Sequence, residues 1–293
     1  MVTRLICLAL ALFCTVSAAP ESRIVGGSPA AIQEFPSAIA VVYHYPNIDR
    51  YIQRCAGALV SSWHILTTAF CFTCQVDAHE LYNDQILMFF IPVAFKNRGA
   101  NINNVRLSGG SAQSLGGAQV STAREIIQHP EYVAETRLND LAVVVSTNPF
   151  VITGALNIVF IPPANTFLPD GLVTRVAGWG FESEGGAQLD SLQAITLTTI
   201  STAACQEAFA DVNDIDINDS VLCASSPTAG TCFGDAGAPM YYNNVVVGLA
   251  SYYKDCGNPT YPDVFTRVDR HTDWIMSVAV TPTGETPLRA AVY

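Results

Sequence analysis

Few side chains in this chain are placed to make or break bonds, and two conspicuous positions carry only carbon. In GTCFGDAGAPM, residues 230–240, three glycines, an aspartate and a proline surround Ala236, whose methyl group has no lone pair to attack a carbonyl. In LTTAFC, residues 66–71, Phe70 offers a phenyl ring that accepts no proton. Asp140, in NDLAVV at 139–144, is a carboxylate at the head of an apolar run, and Asp235 directly precedes Ala236. Cys71 and Cys74 have the C-x-x-C spacing of half a zinc site. No second pair or histidine cluster follows, so neither a metal nor another cofactor is expected.

The elements that must position these residues read as those of a secreted protein. MVTRLICLALALFCTVSAAP has one basic residue, Arg4, an apolar run from Leu5 to Val16, and small residues at Ser17, Ala18 and Ala19. That layout predicts a secretory signal peptide over 1–18, cleaved near Ala18 or Ala19. The run is short for a bilayer span and lacks a flanking charged stop. A secreted, extracellular location is therefore expected, where disulfides persist. The 293-residue chain carries a formal charge of −11, and removing residues 1–23, with Arg4, Arg23 and Glu21, leaves −12. That sign argues against nucleic acid and anionic membrane surfaces as partners. Only two lysines, Lys96 and Lys254, accompany twelve arginines. A protease-rich fluid would favour so few basic cleavage sites, and compositional drift explains the same count.

Half of the residues are hydrophobic and 13% are charged, enough for a sizeable core. No internal repeat, low-complexity tract or linker divides the chain, and length alone allows one large all-β domain or two small ones. Short apolar runs at 38–43, 58–68, 86–95, 141–146, 173–180, 194–200, 245–253 and 264–268 predict an all-β fold. Asn243-Asn244 predicts a tight hairpin turn. Near the end, DRHTDWIMSVAV puts Trp274, Ile275 and Val278 on one helical face, and residues 283–293 read as a flexible tail. Asn218-Asp219-Ser220 permits N-glycosylation. Seven cysteines follow the signal peptide, and six can form three bridges in pairings that spacing does not resolve.

Six stretches then occur in order: IVGG at 24–27, LTTAFC at 66–71, NDLAVV at 139–144, AGWG at 177–180, GTCFGDAGAP at 230–239 and YPDVFTRV at 261–268. Together they resemble the ordered landmarks of the trypsin and chymotrypsin family of serine proteases. The resemblance implies two six-stranded antiparallel β-barrels with the site between them and a C-terminal helix. This domain would span 24–282, after a short activation peptide at 19–23. It implies bridges Cys55–Cys71, Cys205–Cys223 and Cys232–Cys256, leaving Cys74 as the odd thiol. A cut after Arg23 would free the α-amino group of Ile24 to pair with Asp235 and order the pocket. Gly230 takes a pocket-floor position and Asp263 a wall position, a combination that resembles the broad-specificity, collagenolytic-type digestive proteases of arthropods. Ser251 and Tyr253 stand at the pocket mouth, where the Tyr253 phenol should narrow or close it. Asp263 reads equally well as a solvated loop charge.

Within the family's triad, the resemblance puts Phe70 where histidine stands in L-T-A-A-H-C and Ala236 where serine stands in G-D-S-G-G-P. Asp140 is the retained aspartate. Loss of the serine and the histidine costs roughly a million-fold in turnover. Backbone stabilisation, worth about 10³ to 10⁴ over water, would remain in the N–H groups of Gly234 and Ala236. None of His44, His64, His79, His129 and His271 is expected to rebuild the base. The expectation is a secreted protease homologue that is not an enzyme and that binds protein as a cofactor, decoy or regulator. Its partner would be a protease, a protease inhibitor or a protease substrate. The alternatives are a bulk luminal protein with an unused cleft and a peptidase with residual activity.

Overall fold

A computed structural model of the chain describes residues 25–73 and 101–280. The expected signal peptide, Arg23, Ile24, Cys74, His79, the apolar run at 86–95 and the tail at 283–293 lie outside the described residues.

Two closed six-stranded antiparallel barrels make up the fold, as the resemblance implied. A short strand, β1 (Ser28–Pro29), borders the second barrel. The first barrel comprises β2 (Ala38–Tyr45), β3 (Arg50–Leu59), β4 (His64–Thr67), β5 (Val105–Gly109), β6 (Gln119–Gln128) and β7 (Ala142–Ser146). They close in the order β2-β3-β4-β7-β6-β5. The second comprises β8 (Val173–Gly178), β9 (Gln193–Ile200), β10 (Val221–Ser225), β11 (Pro239–Tyr242), β12 (Val245–Tyr252) and β13 (Asp263–Arg267). They run β9-β10-β13-β12-β11-β8, and β8 pairs back with β9.

Local sequence explains these elements. In β9, Gln193, Ile195, Leu197 and Thr199 turn inward while Thr196 and Thr198 face water, the period of a half-buried strand. Asn243 and Asn244 have φ of 48° and 61°, the double left-handed turn that joins β11 to β12 without splaying them. Three short helices complete the set: α1 (Phe70–Thr73), α2 (Thr202–Ala208) and α3 (Thr272–Val278). The sequence did not predict α2, which is too brief to display a period; its signal is Ser201, whose side chain accepts from the Ala204 N–H at 3.1 Å.

The core runs across the seam between the barrels. Ala38, Ala40 and Ala56 of the first pack with Val176, Trp179, Met240 and Phe265 of the second. Alanines on one side let the backbones approach, and the Ala56 N–H donates to the Ala236 carbonyl at 2.8 Å. Helix α3 wedges Ile275 between Val246, Leu249 and Val268 of the second barrel and Leu66, Leu141 and Val143 of the first. The bridges are Cys55–Cys71, Cys205–Cys223 and Cys232–Cys256. They close loops of 16, 18 and 24 residues, and each stabilises the fold by about 3 kcal/mol. The Cys71 sulfur is thereby committed to Cys55 rather than to a metal. Among the described residues no helix is long and apolar enough to cross a membrane.

Candidate functional site

Strands β4 and β7 pair with Thr67 opposite Ala142, so Phe70, just past one strand, and Asp140, just before the other, emerge at the same end of the first barrel. The Phe70 N–H donates to Asp140 Oδ1 at 2.7 Å. Ser251, on β12 of the second barrel, donates its hydroxyl to Oδ2 at 2.6 Å. Thr266 fixes the Asp140 carbonyl at 2.8 Å. Burial pushes the Asp140 carboxyl above its usual range, opposed by the nearby Arg137 charge and by these donors. Arg137 itself lies with its guanidinium carbon 3.3 Å from the centroid of the Phe70 ring.

Opposite stands the glycine-rich loop. Gly234 and Gly237 have φ of 92° and 79°, and a Cβ on Gly237 would meet the Ala56 carbonyl oxygen and Thr67 Oγ1 at 2.2 Å each. Only glycine lets the loop press this closely on the first barrel. Gln53, buried on β3, donates to the Gly234 carbonyl at 2.8 Å and the Cys55 carbonyl at 2.7 Å, and accepts from Gln188 at 2.6 Å. Among the described residues, neither the Gly234 N–H nor the Ala236 N–H has an acceptor. The Ala236 methyl packs towards the cluster that holds Cys55 and Cys71.

Two further carboxylates lie beneath this loop. Asp235 is buried and accepts from Gly180 N–H at 2.9 Å and Cys232 N–H at 3.0 Å. Its burial raises the pKa to about 7, against those two donors. Asp263, the first residue of β13, accepts from Thr231 N–H at 2.7 Å. Burial first, and the Asp235 charge second among the raising causes, lift it to about 8. The reading of Asp263 as a solvated loop charge is corrected here: the residue is 5% exposed because its place in the strand turns the side chain inward. A Cβ on Gly230 would lie 3.3 Å from Asp263 Oδ2, which brings those two predicted residues together. Ser251 instead turns its hydroxyl to Asp140, and Tyr253 packs edge-on against Phe233 at 5.6 Å between ring centroids.

The described histidines make structural contacts. His64 bonds Ser61 Oγ at 2.6 Å and the Val280 carbonyl at 3.2 Å. His271 bonds the Arg267 carbonyl at 2.8 Å and Asn139 Oδ1 at 3.0 Å, with its ring against His129. His44 pairs with Asp49 at 3.0 Å. Two contributors to the cleft, Gln53 and Arg137, carried no local signal: each acts on a residue far away in sequence.

A family model described as Trypsin matches residues 94–275. "Trypsin CFT-1" of Choristoneura fumiferana is 32% identical over 279 residues, 93% of this chain and 98% of that protein. "Trypsin, alkaline A" of Manduca sexta is 29% identical over 268 residues, 90% and 94% of the two chains. The "Vitellin-degrading protease" of Bombyx mori is 28% identical over 257 residues, 87% and 85% of the two.

These similarities correct the expectation that the chain is not an enzyme. The relatives are named trypsins and a protease, matched across most of their length, and they point to a serine protease. That expectation rested on Phe70 and Ala236 alone.

Proposed function

Because the chain belongs to the trypsin family, we propose that it is a secreted protein that takes polypeptide into the cleft between its barrels and acts there as a cofactor, decoy or regulator of active proteases. The observation that carries this reading is the contrast inside the cleft. Its polar frame is wired, with Asp140 held by Phe70 N–H and Ser251 Oγ, while carbon side chains stand at its centre. In this reading Asp140 organises the first-barrel wall. The N–H groups of Gly234 and Ala236 receive a peptide carbonyl as an oxyanion hole would. Gly230, Asp263, Ser251 and Tyr253 line the pocket that takes a side chain. The end of β12 supports the same idea, because backbone bonding on its β11 side ends at Ala250, which donates to the Ala238 carbonyl and accepts from Gly237 N–H, and Ser251–Tyr253 beyond it offer an edge for an extended peptide. Cleavage after Arg23 would supply the Ile24 ammonium to Asp235, whose raised pKa is that of a buried carboxylate lacking a cation.

The Arg23-cleaved protein, titrated into an active trypsin with a protein inhibitor present, should change protease rate or inhibitor potency near one-to-one stoichiometry. No change, together with no retention of either protein, would sink the reading. Peptide turnover is measured in the same samples beside the Phe70→His, Ala236→Ser double variant. Turnover by the unchanged protein comparable with that of the variant would mark a working peptidase rather than a regulator of one.

A further inference from the structure

The geometry points to Arg137 as a receptor for a carboxylate on the bound polypeptide, so that the cleft selects chains carrying an acidic residue. This rests on the reading that the cleft binds polypeptide, and adds the chemistry by which it chooses.

The guanidinium carbon of Arg137 lies over the Phe70 ring, 3.3 Å from its centroid. A guanidinium stacked on an aromatic ring keeps its in-plane N–H donors for planar, two-point capture of a carboxylate. Among the described residues no carboxylate lies within ion-pair distance of Arg137, and its Nη1 is buried with no hydrogen-bond partner. Three other arginines have carboxylate partners, Arg175 with Glu34 and Arg267 and Arg270 with Asp269; Arg54 also has a buried Nη1 without a partner, and Arg137 is the one whose guanidinium lies on Phe70. Asp140 feels the Arg137 charge, yet its two oxygens are engaged by Phe70 N–H and Ser251 Oγ. A buried guanidinium N–H without an acceptor is a standing cost, and a carboxylate drawn onto the group offsets it.

Position agrees with this role. Arg137 has a left-handed φ of 57°, and the neighbouring Thr136 carbonyl accepts from Asp216 N–H at 3.0 Å, which ties this loop to the second barrel. Its charge is felt by the phenols of Tyr252 and Tyr253 as well as by Asp140. Arg137 thus touches the Phe70 ring, and its charge reaches the end of β12, where an extended peptide would lie.

Fluorescence anisotropy on the Arg23-cleaved protein tests this with end-blocked labelled peptides that differ only by Glu against Gln at each position in turn. A third peptide carries Gln and a free C-terminal carboxylate. At low salt, one Glu peptide should bind about tenfold or more tighter than its Gln twin. Arg137→Gln should abolish that preference, so that the Glu and Gln peptides bind the variant alike, and Arg137→Lys should keep part of it. If the free-acid peptide matches the Glu peptide, the carboxylate comes from a chain terminus and the inference stands with that source. If Glu and Gln peptides bind the unchanged protein alike, Arg137 is not the receptor, although the polypeptide reading survives. If no peptide binds, both fall. The Glu-against-Gln comparison needs no variant, so a misfolded Arg137 variant leaves the inference open to refutation.

Discussion

On the first-barrel wall of the cleft, Asp140 is buried yet receives Phe70 N–H, Ser251 Oγ and the field of Arg137. On the second-barrel wall, Asp235 and Asp263 are buried as deeply and have no cation within ion-pair distance among the described residues; their nearest support is backbone N–H. Peptide dipoles alone do not replace lost hydration, so burial dominates and the two carboxyls rise to about 7 and about 8. One wall is organised around a supported carboxylate. The other holds two that are neutral over much of the acidic range and await a positive group, which in the proposed activation is the Ile24 ammonium.

Forcing the walls apart is the largest available break in this comparison. Gly237→Ala places a Cβ 2.2 Å from the Ala56 carbonyl oxygen and Thr67 Oγ1, and should cost about 3 kcal/mol or more in urea unfolding. Gly185→Ala has a similar φ, 71°, but meets nothing within 4 Å, and should cost about 1 kcal/mol. Equal costs for the two variants would show that the loop is not what seats one barrel on the other.

Next comes pH. A carboxyl whose folded pKa lies above its unfolded value contributes stability below about pH 4, and that contribution is lost as pH rises through the folded value. For Asp235 and Asp263 the window runs from about pH 4 to about pH 8. Burial also lowers the pKa of His64, His129 and His271, which removes stability in the opposite direction, as pH falls below about 6.5. The informative quantity is therefore a difference. Asp263→Asn should gain on the unchanged protein by about 2 kcal/mol or more between pH 5 and pH 8. Asp235→Asn should behave likewise before cleavage at Arg23 and lose its advantage afterwards, once an ammonium neutralises the native carboxylate. A pH-independent difference for both variants would mean that the second wall is solvated after all.

A smaller effect sharpens the first wall. Ser251→Ala removes a donor from the buried Asp140 carboxylate and should cost about 2 kcal/mol. Tyr253→Phe, which keeps the ring against Phe233, should stay within about 0.5 kcal/mol. If Ser251→Ala is equally mild, the Asp140 carboxyl does not depend on the second barrel.

Much of the fold was legible in the order of six short landmarks, because each encodes a local necessity. Glycines sit where the loop presses on Ala56, an Asn pair where β11 turns into β12, and apolar runs where strands are buried. The bridges became legible only through resemblance, since spacing does not choose among pairings. Other features had no local sign. Asp263 looked like either a loop charge or a pocket wall until the facing of β13 decided it. Ser251 reads from sequence as a pocket residue, and nothing local showed that its hydroxyl also bonds Asp140. The identities of Phe70 and Ala236 were plain, yet they invited a conclusion about activity that the trypsin relatives overturn.

By itself the sequence determined the strand periods, the turn residues, the carbon side chains at 70 and 236 and the presence of carboxylates at 140, 235 and 263, since these are properties of residue type and near neighbours. Only the tertiary structure decided that Gln53 clamps Gly234, that Ser251 supports Asp140 and that Arg137 lies on Phe70. Each of those contacts joins residues brought together when strands separated along the chain close into barrels and the barrels dock, and no local pattern records which side chains such closure makes neighbours.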